Sequence, residues 1–223
     1  RKRNLGSKGK TMNYRIILIH DFGKSYRDME KLEEHLFSMG YVVENLNFPL
    51  TFADLQSSKD ILLQRIHNLK ESGLTERDEI VLIGFGFGGI LIRECLHNKE
   101  FLQNVDTLLF ISSPWNNSTL HRRIKRVFPF INLFLKPLRA FSKEPIQLPR
   151  KLKVGLIIGT EYYNLFGHFL GEYNDGYVTK KDCFIPGAQD VIYLPICHRE
   201  IHKKIGTAKY ISNFISKGKF RVN

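Results

Sequence analysis

Cysteine is scarce in this sequence of 223 residues, and its three cysteines fit neither a disulfide framework nor a metal site. Cys95, Cys183 and Cys197 are an odd number and lack the spacing of metal ligands. The sequence therefore predicts no metal and no cofactor, and it favours a reducing compartment, the cytoplasm. Because the sequence begins with Arg1 and not with methionine, an upstream signal or anchor stays open.

Long apolar runs are also missing. No stretch approaches the roughly 18 residues that a membrane-spanning helix needs, and no signal-peptide core follows the basic start. The length suits one domain, which we place at residues 13 to 217. We expect residues 1 to 12, a basic tail, and residues 217 to 223 to be poorly ordered.

Acidic residues are few in two segments of this chain, whose net charge is +12. The first ten residues hold five basic residues and no acid, and Glu144 is the only acid between Arg122 and Lys153. These segments predict attraction to an anionic surface such as a membrane, with an ordinary solubilising surface as the alternative. A nucleic-acid partner is not favoured, since no recognition motif accompanies the charge. The oligomeric state stays open.

Short apolar runs separated by helical patterns define the predicted fold class. Continuous runs of this length are typical of strands buried on both faces of a parallel sheet. We therefore expect an α/β fold with a mostly parallel sheet of six or more strands flanked by helices. The runs are Ile16 to Ile19, Tyr41 to Leu46 (interrupted by Glu44 and Asn45), Ile80 to Ile83, Leu108 to Ile111, Val154 to Ile158 and Val191 to Leu194.

One interval, residues 115 to 149, breaks this alternation. Its prolines limit helix length, and its phenylalanines and leucines alternate with basic residues. We interpret it as a short basic helical insert, a candidate lid or cap, after the strand that ends near Ser113. The alternative is an ordinary helix packed on the sheet.

A glycine-rich turn, G-F-G-F-G-G at residues 84 to 89, follows the third predicted strand. A phosphate-binding loop is one interpretation, but a dinucleotide fingerprint would follow the first strand. The spacing also fits the nucleophile elbow G-x-S-x-G, with Gly86 at the serine position.

Together with three further stretches, this turn resembles the compact bacterial lipases and esterases of the α/β-hydrolase superfamily. The resemblance covers Tyr14 to Ser216. I-I-L-I-H-D-F-G at residues 16 to 23 is similar to a strand with its oxyanion loop, although Asp21 replaces the usual glycine. The resemblance implies that the backbone N–H groups of Phe22, or else Asp21, and Phe87 form the oxyanion hole.

The remaining two stretches supply an acid and a histidine in the order that this fold uses. N-D-G-Y-V at residues 174 to 178 resembles the loop of the catalytic acid, which implies that role for Asp175. The last predicted strand ends at His198, the implied general base, and His202 lies one helical turn later. The alternatives are a simple Asn-Asp-Gly turn and a histidine that caps a helix.

The missing serine leaves three functional hypotheses, and whether the protein is an enzyme stays open. The first is a lipase-like or esterase-like pseudo-hydrolase that binds a ligand, an acyl-ester or lipid-like molecule, or a partner. The second is an atypical hydrolase in which a His198–Asp175 dyad acts on water or substrate. The third is a membrane-surface module that uses the basic insert. Ser112, Ser113 and Cys197 offer no obvious substitute nucleophile.

Overall fold

The computed structural model describes residues 13–50, 55–75, 78–115, 146, 148–170 and 173–222. The predicted basic tail at residues 1 to 12 lies outside the described residues. So does nearly all of the predicted insert at residues 115 to 149.

Six strands form one sheet in the described part of the chain, and every strand pair is parallel. The spatial order is β2-β1-β3-β4-β5-β6, so the chain starts near one edge and ends at the other. The predicted parallel α/β sheet is therefore confirmed. The strands are β1 Asn13–Ile19, β2 Val42–Leu46, β3 Asp78–Phe85, β4 Thr107–Ile111, β5 Lys153–Gly159 and β6 Asp190–Leu194.

Helices connect the strands, and glycines end two of them. Gly40 and Gly73 have φ angles of +91° and +88°, the left-handed conformation that terminates α1 and α2. No helix in the described ranges is both long enough and apolar enough to cross a membrane. The helices are α1 Glu30–Ser38, α2 Leu55–Glu71, α3 Phe87–Cys95, α4 Lys99–Asn104, α5 Leu165–Leu170, α6 Lys180–Cys183, α7 His198–Ile201 and α8 Ile205–Lys217.

The core lies on both faces of the sheet because successive strand side chains point to opposite faces. On one face, Ile17 and Ile19 pack in a cluster with side chains of α2 and α3. On the other face, Ile16 and Leu18 pack in a cluster with side chains of α1 and α8. Helices therefore shield both faces, and the loops at the carboxyl ends of the strands are left to carry a site.

The C-terminal segment adds to the second cluster. Phe220 is 1% exposed, and its ring stacks on Phe214 with the centroids 4.8 Å apart. Its backbone N–H also donates to the Asp190 carboxylate. Packing therefore continues beyond residue 217 as far as Phe220.

Candidate active site

The turn between β3 and α3 has the sharp geometry of a nucleophile elbow. Gly86 adopts φ +51° and ψ −116°, a conformation that side-chain-bearing residues rarely take. A Cβ atom on Gly84 would lie 2.6 Å from the backbone nitrogen of Gly89. A Cβ atom on Gly88 would lie 2.3 Å from the carbonyl oxygen of Ile19. The close approach of strand and helix therefore explains why this turn is rich in glycine.

The carboxylate of Asp21 fills the space that a serine side chain at position 86 would take. A Cβ atom built on Gly86 would lie 2.2 Å from Asp21 Oδ1 and 2.4 Å from Asp21 Cγ. The backbone N–H of Phe87 donates to the same Oδ1 atom over 2.6 Å. The two departures from the lipase pattern, Asp21 and Gly86, thus meet at one point. The sequence shows each departure but not their contact.

Parallel pairing of β1 with β3 brings these residues together. Ile19 lies opposite Gly84 in the register, so the residues that follow each strand leave the sheet side by side. His20 then fixes the loop. Its Nδ1–H donates to the carbonyl oxygen of Asp21 over 2.8 Å, and its Nε2 accepts the N–H of Phe48 over 3.0 Å. These partners assign a neutral ring, and burial lowers the pKa of His20 in agreement with that state.

Asp175 is held rigidly in the loop between β5 and β6. Its carboxylate is fully buried. Oδ1 accepts the backbone N–H groups of Tyr177 at 3.1 Å and Val178 at 3.0 Å, as in an Asx turn. Its carbonyl oxygen accepts the backbone N–H of His198 over 2.9 Å. The Asn-Asp-Gly sequence therefore makes a turn and also presents the second oxygen, Oδ2, to the histidine.

His198 lies between two carboxylates at the start of α7. Its Nδ1 is 2.7 Å from Asp175 Oδ2, and its Nε2 is 3.2 Å from Asp21 Oδ2. The rings of Phe85 and Tyr177 lie beside the imidazole, with centroid distances of 4.7 Å and 5.0 Å. The described residues thus form a continuous chain from Asp175 through His198 to Asp21.

The charge state of His198 follows from this placement. Burial alone lowers the pKa of the imidazole, but Asp175 and then Asp21 outweigh it and raise the pKa to about 10. At neutral pH the ring is therefore a cation that donates one N–H to each carboxylate. A histidine in this state is a proton donor and not a general base.

Phe22 contributes an aromatic ring near the turn. The ring meets that of Phe87 edge to face, with centroids 5.8 Å apart. The proposed role of the Phe22 backbone N–H in an oxyanion hole stays a prediction, and the same is true of the catalytic roles of Asp175 and His198.

The neighbouring hydroxyl groups and the second histidine serve other contacts. Ser113 Oγ is buried and donates to the carbonyl oxygen of Gly84, while Ser112 Oγ is buried and accepts the N–H of Gly159. His202 is fully buried, and its Nε2 bonds to the carbonyl oxygen of Asp28. Both serine hydroxyls are therefore engaged in hydrogen bonds at the ends of strands. Neither is among the described hydrogen-bond partners of His198.

The parallel sheet, the elbow and the order of acid and histidine define a lipase-like or esterase-like protein of the α/β-hydrolase fold. The sequence matches the family of the PGAP1-like alpha/beta domain over residues 3–151, and the chain belongs to that family. No curated protein matches the sequence significantly.

Solved structures of low sequence identity share this fold. A mature Bacillus licheniformis lipase matches with a TM-score of 0.70 at 16% identity, covering 95% of this chain and 94% of the lipase. A metagenomic carboxyl esterase matches with a TM-score of 0.72 at 13% identity, covering 97% of this chain and 79% of the esterase. Tomato methylketone synthase I, solved with 2-tridecanone, matches with a TM-score of 0.60 at 15% identity, covering 91% and 99%.

Proposed function

We propose that the protein is a pseudo-hydrolase, a lipase-like fold that binds a ligand and does not turn over acyl esters. The supporting observation is the Asp21 carboxylate, which fills the space of the missing serine side chain and accepts the N–H of Phe87. Serine-type acyl transfer requires a nucleophile at that point and free N–H donors for the developing oxyanion. Position 86 supplies no nucleophile, and Asp21 already uses one of the expected donors.

A dyad of His198 and Asp175 acting on water is disfavoured while Asp21 stays in place. General-base catalysis needs a neutral imidazole with a free Nε2 atom. Here Nε2 faces Asp21, and the pKa of His198 is raised to about 10. This alternative therefore requires Asp21 to leave the site first.

The fit between Asp21 and Gly86 supports the same proposal. The space beside the histidine holds a carboxylate with two hydrogen-bond partners. Because glycine at position 86 leaves room for this carboxylate, the two residues are complementary in size.

Pre-steady-state hydrolysis of p-nitrophenyl butyrate tests the proposal. We expect no burst of p-nitrophenol in the unmodified protein, and a slow release that is the same in the His198→Ala variant. A burst equal to the protein concentration that disappears in His198→Ala would overturn the proposal, because it would require an acyl-enzyme formed with this histidine.

Membrane docking through the predicted insert is a separate proposal that rests on sequence alone. The basic residues and phenylalanines of the insert, residues 115 to 149, suit an anionic lipid surface. We expect co-sedimentation with vesicles that contain phosphatidylserine, and release at high salt. Equal sedimentation with neutral vesicles, or none with either, would contradict it.

A further inference from the structure

Two donors, the backbone N–H of Phe87 and the Nε2–H of His198, hold the Asp21 carboxylate, and we call this pair of donors the cradle. Phe87 is the first residue of α3, a helix of nine residues, and its N–H donates to Oδ1 over 2.6 Å. His198 donates from Nε2 to Oδ2 over 3.2 Å. Each oxygen therefore has its own donor, and one donor is a buried cation. This pattern of charge-assisted hydrogen bonds recognises a carboxylate better than any neutral group.

Asp21 is the outermost member of the chain of three side chains. Its side chain is 20% exposed, whereas that of His198 is 6% exposed and that of Asp175 is fully buried. The carbonyl oxygen of Asp21 accepts hydrogen bonds from the His20 ring and from the N–H of Lys24, so the backbone of Asp21 has contacts that do not involve its carboxylate. A rotation of the Asp21 side chain would vacate the cradle and leave β1 unchanged.

We propose that the cradle of Phe87 N–H and His198 binds the carboxylate of an external monocarboxylate with an apolar tail, and that Asp21 is its internal competitor. This inference rests on the proposed function, because a serine at position 86 would occupy the same space. The half-buried ring of Phe22, which packs edge to face on the buried ring of Phe87, offers an apolar surface beside the cradle. An ester carbonyl has no charge to pair with the imidazolium, so the site should prefer the free acid anion to its ester.

Titration of octanoate into the Asp21→Gly variant tests this proposal by calorimetry. Removing a competitor that is held by charge-assisted hydrogen bonds should tighten octanoate binding about 10- to 100-fold relative to the unmodified protein. The amide ¹⁵N–¹H signal of Phe87 should shift with the same dissociation constant. Methyl octanoate, which has the same chain without the charge, should bind no more tightly to the variant than to the unmodified protein.

Matched variants distinguish octanoate binding in the cradle from nonspecific binding to the basic surface of the protein. Asp21→Asn keeps the space filled and should show a smaller gain, whereas Asp21→Gly/His198→Ala should lose the gain. Asp21→Ala serves if Asp21→Gly fails to unfold cooperatively. A folded variant without Asp21 that binds octanoate no better than the unmodified protein would overturn the proposal. So would a gain that survives loss of His198. Neither result bears on ester turnover by the unmodified protein, so the two proposals fail separately.

Discussion

Introducing a serine at position 86 should destabilise the protein on its own. The same substitution should be tolerated once Asp21 is replaced by glycine. In Gly86→Ser, the new Cβ atom would lie 2.2 Å from Asp21 Oδ1, so the carboxylate must leave its two donors. In Asp21→Gly/Gly86→Ser, the oxyanion loop regains the glycine of the lipase pattern and the serine has space beside His198. The two substitutions should therefore be strongly coupled.

Three costs determine how much unfolding free energy Gly86→Ser should lose. Inserting a side chain into filled space costs about 1–3 kcal/mol. Releasing Asp21 from a charged hydrogen bond costs about 1.5–3 kcal/mol, and a residue other than glycine at a φ of +51° adds about 1 kcal/mol. Partial relief by movement of the Asp21 side chain reduces the total, so we expect Gly86→Ser to lose roughly 3–5 kcal/mol of unfolding free energy. In the Asp21→Gly background, the added serine should cost only about 1 kcal/mol.

Urea unfolding of the four proteins measures the coupling as a double-mutant cycle. We expect a coupling free energy of about 2 kcal/mol or more between positions 21 and 86. Hydrolysis of p-nitrophenyl butyrate by the double variant, lost again in His198→Ala, would show that the rest of the site works. Additive losses in the cycle would refute the spatial argument, as would a Gly86→Ser protein that is as stable as the original.

Two further predictions concern the histidines. Because the pKa of His198 is about 10 in the folded protein and 6.5 unperturbed, its contribution to stability should be complete below about pH 6.5 and disappear as the pH rises through 10. Urea unfolding between pH 6 and 10 should show this loss, and a profile as flat as that of His198→Gln would contradict it. His20→Phe leaves the buried Phe48 N–H without its acceptor and removes one of the two donors to the Asp21 carbonyl, which keeps the N–H of Lys24, so it should cost about 1–3 kcal/mol. A loss below about 0.5 kcal/mol in the same assay would refute that role.

The fold could be predicted because its signals are local. Five of the six described β-strands contain a short apolar run, and a buried parallel strand needs little else to be recognised. The exception is β2 at the edge of the sheet, which contains Glu44 and Asn45. Gly40 and Gly73 mark helix ends because only glycine adopts their positive φ angles at no steric cost. The order of Gly86, Asp175 and His198 can be read directly along the sequence, so recognising it requires no knowledge of which residues are in contact.

The occupied site could not be predicted because its decisive contact is between distant segments. Asp21 and Gly86 are 65 residues apart, and their meeting depends on the pairing of β1 with β3. In the sequence, Asp21 is only a departure from a glycine. Phe220 was missed for a similar reason, since one aromatic residue among lysines and arginines does not reveal the partner, Phe214, against which it packs.

The contact between positions 21 and 86 makes the order of substitutions matter. A chain with serine at position 86 has no room for the Asp21 carboxylate in its present position, so an aspartate fits there only after or together with glycine at position 86. In the chain as it stands, a serine at position 86 requires the Asp21 side chain to move out of this space. The least costly route to a serine at position 86 is therefore one in which position 21 changes first.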